Sequence, residues 1–127
     1  KRAVKILGND ELVMLHCTST YPAIADELNL NGIRTLSREF PSIPIGYSGH
    51  EVGLATTVAA VVSGACVVER HITLDRTMWG TDQAASLSEP GIRELSTVLK
   101  KFPMMLGRGI KKITKEEKKL ISKFRYW

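Results

Sequence analysis

Three times in 127 residues an apolar run of strand length gives way to a polar loop and then to a segment with helical apolar spacing. The first unit opens with Leu12–Cys17, passes through the loop Thr18–Pro22 and continues as a helix expected over Ala25–Phe40. Leu28, Ile33, Leu36 and Phe40 form its apolar stripe. Pro41 stops it, because proline disfavours helical geometry in the residue before it. The second unit opens with Ile43–Ser48, has Gly49-His50 as its loop, and continues as a helix over Val52–Ser63. Its expected buried side is Leu54, Ala55, Val58, Ala59 and Val62, with Gly64 where a left-handed stop is wanted. The third unit opens with Ala65–Ile72, passes through the polar loop Thr73–Leu87, and reaches a helix with Ser88 as N-cap and Glu89-Pro90 in its first turn. The residues up to Gly8 read as the tail of an earlier helix.

Strands that alternate with helices pair in parallel and are joined by helical crossovers, which makes this an α/β chain. The strand starts at Val13, Ile43 and Ala65 are 30 and 22 residues apart, ordinary lengths for such crossovers. Three strands leave a parallel sheet with open edges, whereas an eight-fold barrel takes about 250 residues. The chain is therefore expected to be the C-terminal portion, about strands 6–8 with their helices, of a (β/α)8 TIM barrel over residues 1–110. Residues 111–127 form a basic extension expected to be helical. A small complete α/β domain is the alternative that composition does not exclude.

A hydrophobic content of 43% with 24% charged residues excludes an intrinsically disordered chain. The longest mostly apolar stretch, Leu54–Val68, is interrupted by Thr56, Thr57, Ser63 and Gly64 and is too short for a membrane span. Lys1-Arg2-Ala3 leads into a mixed segment, so no signal peptide is expected. The formal charge of +5 resides in Lys111–Arg125, where seven Lys/Arg face two Glu. That placement favours a solvated terminal helix over a nucleic-acid or membrane-binding surface. Cys17 and Cys66 sit in apolar runs with no basic neighbour, and are expected to be buried core thiols in a reducing compartment.

Strand side chains alternate faces, so Ser48 and His50 share one parity and Glu69 and His71 share one parity. Each pair ends a parallel strand at its C-terminal rim, where barrel enzymes place their chemistry. Neighbouring strands lie about 4.8 Å apart, so His50 and His71 are placed to meet one metal ion. Two neutral imidazoles suit Mn, Fe, Co or Zn in an open site, and two structural histidines are the alternative. Glu69 is placed to orient His71, ligate, or handle a proton, or else to pair with Arg70 or Lys100. Asp82 lies in Gly80–Ser86, a small polar loop suited to a site mouth or a simple turn. His16 has the opposite parity to Cys17 and is expected outward, under a helix.

Leu15–Pro22, Ile45–His50, Glu69–Asp75 and Gly80–Ser86, taken in order, resemble the sialic acid synthase family, the N-acetylneuraminate and related nonulosonate synthases. The likeness is collinear over about Glu11–Gly107. It implies a (β/α)8 barrel that condenses phosphoenolpyruvate with a sugar aldehyde, commonly N-acetylmannosamine or its 6-phosphate, taking up water and releasing phosphate. It implies a divalent metal, most often Mn2+ with Mg2+ or Co2+ as alternatives, held by His50 and His71. Ser48 and Ser19 would bind phosphoenolpyruvate, Ser19 standing where many bacterial members carry Asn. Tyr21 and Asp82 would contact the sugar, and Glu69 would line the site with the two histidines as its catalytic group. By the same likeness the earlier strands and the antifreeze-like C-terminal domain are missing from this sequence, and the full-length enzyme is a cytoplasmic homodimer with no nucleic-acid or membrane partner.

The isolated chain is expected to be inactive, since three strands cannot form the closed site and leave an exposed sheet edge; its strand-end segments also supply only one cation, Arg70, whose parity points away from the rim. The competing readings are another metal-dependent barrel aldolase or hydrolase, and a non-enzymatic basic module using residues 111–125.

Overall fold

The computed structural model describes residues 1–8 and 10–124. The chain divides into two compact units, Lys1–Thr97 and Val98–Trp127. The elements in order are α1 (Arg2–Leu7), β1 (Met14–Cys17), α2 (Asn31–Glu39), β2 (Ile45–Gly49), α3 (Ala55–Val62), β3 (Val68–Arg70), α4 (Glu89–Leu106) and α5 (Lys115–Phe124). The three strands make one parallel sheet in the order β1-β2-β3. Met14 pairs with Ile45 and Cys17 with Ser48 at the first seam. Tyr47 pairs with Val68, Ser48 with Glu69 and Gly49 with Arg70 at the second.

The central strand is buried along its whole length. Its odd-numbered residues Ile45 and Tyr47 join Ile33, Ile43, Ala60 and Ala65 in the core, with Leu12, Met14, Leu30, Leu36 and Phe40 packed around them. This apolar layer lies on one side of the sheet, so the even-numbered side chains are left to face the opposite way. Parallel sheets require cover on both faces; among the described residues the helices cover one, while Ser48 and His50 on the other are buried by loop and strand neighbours.

Several elements differ from the sequence reading. The helix expected over Ala25–Phe40 is broken: a 3-10 turn covers Ala25–Glu27 and α2 begins at Asn31. Asn29 adopts φ 42°, a left-handed conformation that asparagine tolerates and a continuous helix forbids. The apolar period runs across this break, because Leu28 and Ile33 are both buried despite lying in different elements. The second helix starts at Ala55, since the backbone before it bends so that the Gly53 carbonyl accepts a bond from Arg70.

The buried side of α3 is Thr57 and Ala60 rather than the Leu54–Ala55–Val58–Ala59–Val62 face. Val62 is half-exposed. A helix that is apolar nearly all round carries no periodic clue to its buried face, and Thr57 is drawn inward by polar partners described below. Gly64 follows with φ 112°, the positive region expected at that stop.

β3 is shorter than its apolar run, although Cys66 N–H already bonds Ile45 O and Val67 O accepts from Tyr47 N–H. α4 starts at Glu89 as the Ser88 cap position requires, and continues through Pro103 to Leu106. In the second unit α5 opens with a capping box. Thr114 Oγ1 accepts the Glu117 N–H at 3.1 Å, and Glu117 Oε2 accepts the Thr114 N–H at 2.7 Å. The helix expected over 111–127 is thus seen over Lys115–Phe124, and residues 125–127 lie outside the described residues. No helix among the described residues is long and apolar enough to cross a membrane.

Candidate active site

The C-terminal ends of β2 and β3 bring His50 and His71 together. Extending the register one residue past Gly49–Arg70 sets them opposite each other. Their ring centroids are 5.1 Å apart with the planes nearly perpendicular. Tyr21, from the loop after β1, closes the group. Its ring centroid is 4.3 Å from that of His50 and 5.6 Å from that of His71, and its hydroxyl is 3.2 Å from His50 Nε2. Asp82 arrives from the loop after β3, with Oδ2 3.4 Å from His71 Nδ1. Four of the residues singled out in the sequence therefore share one rim.

His50 is buried, and its tautomer follows from its partner. Nδ1 lies 2.8 Å from Thr18 O. A carbonyl only accepts, so Nδ1 carries the proton and Nε2 keeps the lone pair. An imidazole oriented by a backbone carbonyl in this way is the usual form of a metal-ligating histidine. The donor chemistry of His50 and His71 fits a divalent cation to that extent. Among the described residues no group of three or more His, Cys, Asp or Glu is placed to hold a metal ion, so these two imidazoles would by themselves complete only part of a coordination shell.

One pleat deeper on the same parity, Ser48 Oγ donates to Glu69 Oε1 at 2.7 Å. Ser48 is buried and Glu69 is exposed. Glu69 does not pair with Arg70, which is engaged elsewhere. Ser19 is exposed, with Oγ 3.3 Å from Cys17 Sγ.

Two expectations about other side chains have different outcomes. His16 faces outward and half-buried, and its Nε2 donates to Leu28 O at 2.8 Å, as a residue packed under a helix should. Cys17 and Cys66, expected in the core, are exposed free thiols. Cys17 has the inward parity of an outer strand and ends beside His50 Nδ1 at 3.9 Å. Cys66 precedes the other outer strand. An apolar run does not by itself bury a residue at the margin of a sheet.

The structure adds a buried polar cluster behind the rim. Arg70 Nη1 meets Glu51 Oε1 at 2.9 Å, with side-chain exposures of 1% and 4%. Tyr47 OH donates to Glu51 Oε2 and Thr57 Oγ1 to Glu51 Oε1, both at 2.8 Å. Burial, reinforced by the Glu51 carboxylate, pushes the Tyr47 phenol well above its ordinary value. Burial pulls the Arg70 guanidinium down while Glu51 opposes it. The signal in the sequence was a charge at an outward position of a buried strand, which must find a partner.

Comparison with known proteins gives concordant matches. The NeuB family model matches residues 1–111. The chain is 46% identical over 105 residues to human N-acetylneuraminate-9-phosphate synthase, which covers 83% of this chain and 29% of that one. It is 41% identical over 111 residues to N,N'-diacetyllegionaminic acid synthase of Campylobacter jejuni, covering 87% and 33%. Among solved structures it resembles the N-acetylneuraminic acid synthetase of Leptospira borgpetersenii, crystallised with citrate, at TM-score 0.71 and 35% identity, covering 87% of this chain and 39% of that one. It also resembles the Bacillus subtilis spore coat polysaccharide biosynthesis protein SpsE at TM-score 0.74 and 31% identity, covering 91% and 33%. The chain spans about a third of the length of the curated relatives it matches.

Proposed function

Because the chain belongs to the NeuB family, we propose that it forms about strands 6–8 of a (β/α)8 barrel whose whole is a cytoplasmic, homodimeric nonulosonate synthase. Residues 1–110 supply the barrel portion and residues 111–127 a basic extension. The reaction joins C3 of phosphoenolpyruvate to the aldehyde carbon of N-acetylmannosamine or a related sugar, adds water at C2 and releases inorganic phosphate. The observation that carries this reading is the edge-to-face approach of His50 and His71 at the C-terminal rim.

His50 and His71 hold a divalent cation, with Mn2+ the first choice. That cation, when bound, supplies Lewis-acid polarisation of the sugar aldehyde, which a weak enol-ether nucleophile requires. Tyr21, its ring tilted against both imidazoles, shields one side of the pair and would turn its hydroxyl from His50 Nε2 to the sugar. Asp82 reaches the same sugar from the opposite loop. Ser48 and Ser19 contact phosphoenolpyruvate. The single Ser48 proton is given to Glu69 in this structure, so Ser48 must turn its hydroxyl from Glu69 to an anionic ligand oxygen when substrate enters. Glu69 is then free to accept a proton or a water hydrogen at that position.

The described rim carries Glu69 and Asp82, while Arg70 lies buried behind it. Binding phosphoenolpyruvate would need further cations at this rim. The test is phosphate release and nonulosonate formation by the intact polypeptide with phosphoenolpyruvate, N-acetylmannosamine or its 6-phosphate, and Mn2+. Aldehyde-dependent phosphate release supports the proposal, and turnover that ignores phosphoenolpyruvate overturns it. The 127-residue chain alone is expected to release none.

A further inference from the structure

Glu51 follows His50 and Arg70 precedes His71. Strand alternation therefore sends the two charged side chains to the helix-bearing face while the imidazoles meet at the rim. There the guanidinium spans separate pieces of the fold. Nη1 donates to Glu51 Oε1, to Thr57 Oγ1 at 2.7 Å and to Gly53 O at 2.9 Å. Nη2 donates to Glu51 O at 2.7 Å and to Ala85 O at 3.2 Å. The acceptors lie just past β2, at the start of α3, and on the loop that carries Asp82.

The backbone is shaped to admit this pair. A Cβ at Gly49 would lie 2.7 Å from Glu51 Oε2 and 3.0 Å from Arg70 Cδ, so a side chain there would displace both. A buried ion pair returns little net stability after its desolvation, while its loss leaves a stranded charge. Its presence here is better accounted for by what it holds in place.

We propose that Arg70 and Glu51 are positioning residues that set the separation of the His50 and His71 rings and, through Ala85, the placement of Asp82 beside His71. The inference rests on reading His50 and His71 as the metal-binding pair. Lysine at position 70 could keep the charge, but a single ammonium lacks the planar fork that reaches Glu51 and Ala85 together.

The test uses the intact polypeptide with labelled histidine, comparing wild type, Arg70→Lys and Glu51→Gln, first metal-free and then titrated with Mn2+. With circular dichroism unchanged, the ring signals of His50 and His71 should move while those of His16 stay in place. Mn2+ affinity should fall about tenfold to a hundredfold, the usual effect of losing a group that orients metal ligands. A folded Arg70→Lys variant with wild-type ring signals and wild-type Mn2+ affinity would overturn the proposal. Should that variant fail to fold, Glu51→Gln, which keeps shape and volume, yields the same readout. If the wild type itself binds no Mn2+, the metal reading of the rim falls, and the ring signals alone still decide the positioning role.

Discussion

The imidazoles of His50 and His71 stand edge to face, 5.1 Å between centroids and 85° between planes, across two parallel strands that share one register. The relationship depends on strand alternation at both ends. Ser48 and Glu69, two residues earlier, are Cα partners and hydrogen-bonded, so the rim end of the inward column at the second seam is polar. Behind it, the outward column of Tyr47, Glu51 and Arg70 is buried and bonded to itself.

The first prediction concerns the shared ion. His50→Ala and His71→Ala should each lower Mn2+ affinity and phosphate release in the intact polypeptide by about a hundredfold or more, since Lewis-acid catalysis is worth several kcal/mol. The double variant should be scarcely worse than either single one, because both rings serve one site. Electron paramagnetic resonance titration of Mn2+ reads the outcome, and a single variant with undiminished affinity would remove that ring from the site.

Ser48→Ala removes one donor to the Glu69 carboxylate. Glu69 is exposed and water replaces the donor, so the expected cost in stability is about 1 kcal/mol or less. The kinetic effect should be larger and selective: KM for phosphoenolpyruvate rises while KM for the sugar changes little. Steady-state kinetics beside urea unfolding separates the two, and equal increases in both KM values would count against the assignment.

Tyr47→Phe leaves Glu51 Oε2 without its phenolic donor in a buried place, which should cost about 1–3 kcal/mol. The Tyr47 phenol is raised in the folded state by burial and by Glu51. Its contribution is therefore complete below the unfolded value of about 10 and is lost as pH rises above that, where the unfolded chain ionises more readily. Stability measured by urea unfolding should fall above about pH 10 in the wild type. Tyr47→Phe should abolish that part of the slope; an unchanged slope would place its origin elsewhere.

Glu117 is held down to about 2 by the Thr114 N–H, Lys111 and the Thr114 hydroxyl, from an ordinary value of 4.5. A depressed carboxylate contributes above its unfolded value and loses that contribution as pH falls. The amide resonance of Thr114 should therefore shift, and the helicity of α5 decline, between pH 4.5 and about 2. Glu117→Gln should remove the titration. A Thr114 amide that titrates equally in that variant would show that another group is responsible.

The order of strands and helices, their parallel pairing, and the inward parity of Ser48, His50, Glu69 and His71 were legible in the chain alone. So were the outward position of His16 and the stop at Gly64. Residues 25–40 show where that legibility fails: the apolar stripe was read correctly, but the left-handed Asn29 that interrupts the helix leaves the stripe intact. The exposure of Cys17 and Cys66 was missed for a related reason, since their apolar neighbours say nothing about whether a strand is central or at the margin.

Alternation of side chains is a property of the local backbone, and so the amino-acid order was enough to put two imidazoles on one rim. The partner of Arg70, the face that α3 buries, the carbonyl that fixes the His50 tautomer and the approach of Asp82 to His71 all join residues distant in the chain. Those contacts exist only when strands, helix and loop are packed together, because burial then forces each polar group to find a partner that no local pattern encodes.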